Sequence, residues 1–86
     1  MPVYETAKEI WDAALGELQL QINGTNYDTW LRDTTGINYE GDRFVVGVAS
    51  PFAVDYLEQR LSSLIEKTLI DITGKDLEVS FQIQQQ

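Results

Sequence analysis

The sequence predicts a two-layer α+β domain in the order α-α-β-β-α-β, with helices packed on one face of a three-stranded sheet. Two observations carry this. Long stretches place apolar residues at helical spacing, and short stretches between and after them alternate apolar with polar residues. The length supports it too, because 86 residues make one domain near the small end of what folds alone.

Residues 3–22 read as the first helix. Ile10, Trp11, Ala14, Leu15, Leu18 and Ile22 recur at the spacing of one helical face. Pro2 stands just ahead of the start, where a missing N–H costs little. Asn23-Gly24 predicts the stop, since both residues tolerate a left-handed backbone. Thr25 is then the expected cap of a short second helix, with Asp28 three residues on as a partial capping box and Tyr27, Trp30 and Leu31 as its apolar side. Asp33 to Gly36 breaks the pattern. Two strands follow, 37–39 and 43–49, joined by a hairpin loop at Glu40-Gly41-Asp42. Phe44, Val46 and Val48 share one face of the second. Gly47, on the other face, lets something approach the sheet closely or marks a bulge. Ser50 as N-cap and Pro51 at the first position open the third helical region. Its apolar series runs from Ala53 to Leu69, with room for a break near Ser62-Ser63, and Gly74 ends it. Leu77, Val79, Phe81 and Ile83 alternate with polar residues as a last strand. The domain thus spans residues 1–83, and Gln84 to Gln86 form a polar tail with the composition of a linker's start.

Composition excludes more than it assigns. A hydrophobic fraction of 43% is that of a globular domain. No apolar run approaches the roughly 20 residues of a membrane span, and the N-terminus lacks the features of a signal peptide, so a cytoplasmic protein is expected. The charge is acidic, with 14 Asp and Glu against 6 Lys and Arg, net −8. A domain that grips a phosphate backbone carries the opposite sign, so at most weak single-stranded DNA contact is expected. With no histidine and no cysteine there is no Ser-His or Cys-His nucleophile pair and no ordinary zinc site. The glycines are isolated and form no phosphate loop. Glu5, Glu9 and Asp12 share helical spacing, but Lys8 lies four residues before Asp12 and the stretch reads as a solvated face. The sequence therefore predicts no catalytic, cofactor or metal site, and no enzyme.

Three large side chains remain. Trp11 is either core or, at the edge of its helix face, an anchor for a partner. Trp30 reads as core. Phe52, in a first helical turn beside a loop, is either core or an exposed docking residue.

These residues carry a family resemblance. Trp11-x-x-Ala14-Leu15-x-x-Leu18, then Tyr27 to Arg32, then Pro51-Phe52-Ala53-x-Asp55-Tyr56-Leu57-Glu58-x-Arg60, and last Leu77 to Ile83, together resemble domain I of the bacterial replication initiator DnaA. The resemblance implies a K-homology-like fold and a hub role: weak self-association, docking of the replicative helicase, and docking of regulatory proteins. It implies self-association for Trp11, and helicase or regulator contact for Phe52 and for Asn26, a position often acidic in the family. The chain would be a fragment of an initiator or a stand-alone relative. Two other readings stay open, a weak single-stranded nucleic-acid binder on the K-homology analogy and a stand-alone adaptor or inhibitor that mimics the initiator's domain.

Overall fold

The computed structural model describes residues 6–84. Helix α1 spans Ala7–Gln21. Thr6 caps it by accepting from the Glu9 N–H while the Glu9 carboxylate accepts from the Thr6 N–H, a full capping box. The expected start, with Pro2 ahead of it, lies outside the described residues. Ile10, Trp11, Ala14 and Leu18 are the buried face of α1.

The chain leaves α1 in extended conformation at Ile22, so the left-handed stop expected at Asn23-Gly24 does not form. Asn23 instead caps the next helix, its side-chain oxygen taking the Asn26 N–H at 2.9 Å. The cap of helix α2, Gly24–Asn26, thus falls two residues before the one expected at Thr25. The helix runs directly into a π turn, Tyr27–Leu31, closed by the Arg32 N–H bonding to the Tyr27 carbonyl at 3.0 Å. The Thr25 carbonyl is already engaged by the Thr29 hydroxyl.

Strands β1 (Thr35–Glu40) and β2 (Arg43–Val48) form an antiparallel hairpin. Gly41 supplies the positive φ, +63°, that its two-residue loop needs. A register shift between Gly36 and Asn38 leaves Ile37 as the extra residue of a bulge. The Ile37 side chain folds over Gly47, where a Cβ would stand 2.8 Å from its Cδ1. The predicted close approach at Gly47 is therefore real, and the bulge sits on the opposite strand.

Ser50 and Pro51 open helix α3, Pro51–Tyr56. A second π turn, Leu57–Leu61, joins it to helix α4, Ser62–Thr73. The break falls at Leu61, whose φ of −120° and ψ of −3° leave the helical basin, one residue ahead of the expected place. Gly74, left-handed at φ +73°, closes α4 with its N–H on the Ile70 carbonyl. Strand β3, Glu78–Ile83, returns parallel to β2, so the sheet order is β1-β2-β3. A helical crossover is what a parallel pair requires. On the free edge of β3, the Glu66 carboxylate takes the Val79 N–H at 3.1 Å. The core lies between sheet and helices: Trp11 and Leu18 from α1, Phe44, Val46 and Val48 from β2, Leu57, Ile65 and Leu69 from the third helical region, and Phe81 from β3. This is the predicted α+β architecture.

Candidate functional site

The three residues singled out by sequence part company. Trp11 is 0% exposed. Its indole N–H donates to the Thr34 hydroxyl at 2.9 Å, and that hydroxyl donates to the Leu31 carbonyl at 2.6 Å. Its ring lies 6.1 Å from that of Phe44. Gly36 makes this possible: a Cβ there would collide with the Ala7 carbonyl oxygen and come within 2.7 Å of the Trp11 Cβ. Of the two readings of Trp11, the core one describes the structure. The alternative, a ring at the edge of the helix face, does not hold, because glycine lets β1 close on α1 over it.

Phe52 is the reverse case, 79% exposed. The residues around it are fixed. Ser50, extended, accepts the Ala53 N–H on its Oγ at 3.2 Å. Pro51 locks its own φ at the first helical position. Ala53 and Leu57 bury the inner side of the same helical stretch. Behind it, the Gln84 N–H bonds to the Val48 carbonyl, tying the end of β3 to the end of β2. Ile83, 45% exposed and paired in register with Val48, adds apolar surface at that end of the sheet. Phe52 is thus a bulky ring held out in water on a rigid turn.

Asn26 is half-buried at the end of α2, its N–H held by Asn23. The π turn that follows Asn26 and the helix that carries Phe52 meet in a ring contact. Trp30 and Tyr56 stack at 4.2 Å between centroids and 7° between planes. Trp30 is therefore only partly core, since both rings are half-buried. Phe52 and Asn26 come to neighbouring elements, whereas Trp11 stays inside.

Two surface depressions were not predicted. One, of about 230 Å³ between α1 and α4, is lined by Glu17, Gln21, Thr68, Asp71 and Ile72. The other, of about 280 Å³, is lined by Asp42, Asp76, Leu77 and Glu78. Neither of these two includes Phe52 or Asn26. Among the described residues no group of carboxylates is arranged to hold a metal ion, and no helix is long and apolar enough to cross a membrane. The sequence reading passed over Leu20, 82% exposed on α1, although its place off the apolar face of that helix was legible. It also passed over Tyr56 as a ring partner.

The chain belongs to the DnaA N-terminal domain family, whose sequence model matches residues 8–70, a span that takes in Trp11, Asn26 and Phe52. The domain is a protein-interaction module of replication initiation.

Proposed function

We propose that this domain docks the replicative helicase, and regulatory proteins of initiation, through the surface that carries Phe52 and Asn26. The observation behind this reading is the exposure of Phe52 at 79% on a capped, proline-fixed turn. Binding there costs little ordering of the chain, since the ring's backbone is already set. The partner supplies an apolar pocket, and the acidic balance of −8 steers basic partners toward the domain. The domain works in the cytoplasm and associates weakly with other copies of itself. Weak contacts suffice when several copies are held together on one DNA site. Trp11 serves self-association indirectly, by shaping α1 from within, since its ring is buried. Amide resonance mapping with unlabelled helicase from the same source tests the docking site. The reading expects shifts around Asn26 to Leu31 and Ser50 to Tyr56. Shifts confined to α1 and α4 would move the site elsewhere.

A further inference from the structure

Asn26 and Phe52 sit on different elements; the segments that carry them share the core through Leu31, Ala53 and Leu57 and meet nearer the surface in the Trp30–Tyr56 stack. Its setting is unusual. Trp30 lies within the π turn Tyr27–Leu31, and Tyr56 immediately precedes the π turn Leu57–Leu61. Such turns are rare in helices and recur at functional sites. Asn26 stands four residues before Trp30, and Phe52 four residues before Tyr56. Four residues are about one α-helical turn, as from Phe52 to Tyr56 within α3, and Trp30 follows Asn26 by the same four residues across the start of the π turn. Each docking residue is therefore one turn from the same pair of rings. The other ring pairs, Trp11–Phe44 and Tyr39–Phe44, brace α1 and the hairpin instead.

We infer that the Trp30–Tyr56 stack is a positioning device that fixes Asn26 and Phe52 relative to each other, so that a partner meets them as one rigid two-point surface. The inference rests on the docking role given above to those two residues. The partner chemistry it selects is an apolar pocket for the Phe52 ring with a hydrogen-bonding group set at a fixed offset for the Asn26 amide. Neither ring of the stack needs to touch the partner. The stack acts by removing the freedom of α2 relative to α3, which binding would otherwise have to remove.

The chain contains no cysteine, so Asn26→Cys and Phe52→Cys accept spin labels cleanly, and pulsed electron resonance then reads the distance distribution between them. Tyr56→Phe keeps the ring, and Tyr56→Leu keeps apolar bulk without it. The distribution is expected to be narrow in the labelled parent and in Tyr56→Phe, and broad in Tyr56→Leu. In calorimetric titration of helicase with the unlabelled proteins, Tyr56→Phe should bind like the parent and Tyr56→Leu about five- to tenfold more weakly, a loss near one logarithmic unit. If Tyr56→Leu does not fold, Trp30→Leu takes its place under the same criteria. A folded variant without the stack that keeps the narrow distribution, or binds as tightly as the parent while Phe52→Ala binds weakly, overturns the positioning role and leaves the docking site standing. If Phe52→Ala and Asn26→Ala both bind like the parent, the docking reading falls, and the distance distributions alone decide whether the stack fixes the two elements.

Discussion

Replacing Thr34 by valine tests the interior account of Trp11 with almost no change of shape. The hydroxyl is buried with its residue at 9% exposure, accepts the Trp11 indole N–H at 2.9 Å and donates to the Leu31 carbonyl at 2.6 Å. Valine removes both bonds. The Leu31 carbonyl still receives the Thr34 N–H at 3.1 Å, so that end is nearly neutral. The indole N–H is left buried without an acceptor, and this costs about 1–3 kcal/mol. At about 4–8 °C per kcal/mol for a domain of this size, a loss near 2 kcal/mol lowers Tm by about 8–16 °C. Urea unfolding read by tryptophan fluorescence should show a lower midpoint at unchanged slope, which marks a stability change and not altered compactness of the unfolded chain. Trp11→Phe removes the same bond from the other side. Combined with Thr34→Val it should cost less than the sum of the two, because the shared bond can be lost only once. A Thr34→Val protein within about 0.5 kcal/mol of the parent, the range of ordinary surface changes, would refute this account of Trp11.

Other substitutions separate frame from surface. Gly36→Ala should destabilise the domain by about 1–3 kcal/mol in urea titration, because its Cβ meets α1 backbone that cannot swing aside. Phe52→Ala should leave stability within about 0.5 kcal/mol, since the ring is mostly in water. Asp12→Ala breaks the Lys8 ion pair at 3.2 Å, but both side chains are well exposed. Its effect on the urea midpoint should be at the edge of detection. Glu66→Ala uncovers the Val79 N–H at the β3 edge, and hydrogen exchange at Val79 should quicken more than at Phe44 or Val46 in the central strand.

The sequence made the fold legible where one signal dominated. Ser50-Pro51 is a cap followed by a fixed φ, Gly74 is free to turn left-handed, and the third helical region begins and ends on them. The alternation of Phe44, Val46 and Val48 placed the central strand for the same reason. Where two residues compete for one job, it was less legible. Asn23 and Thr25 are both good caps, and only the three-dimensional reach of the Asn23 side chain to the Asn26 N–H decides between them. The π turns were invisible, because a single wider turn leaves no period in the sequence. Trp11 shows the limit most plainly. Its spacing placed it on the apolar face of α1, but whether that edge is covered depends on Gly36, a residue in a distant strand whose missing side chain admits the helix. For Phe52 the sequence left core and surface equally open, and the tertiary position of the α3 first turn resolves it toward water.

The measurement that bears most directly on the docking account is calorimetric titration of the domain against the replicative helicase from the same source, with the parent and Phe52→Ala side by side. The account predicts that the parent binds and that the folded Phe52→Ala domain loses about 1–2 kcal/mol or more, the scale of an interface hot spot. Equal binding by both proteins would contradict the assignment of the site to Phe52, and binding by neither would contradict helicase docking by this domain.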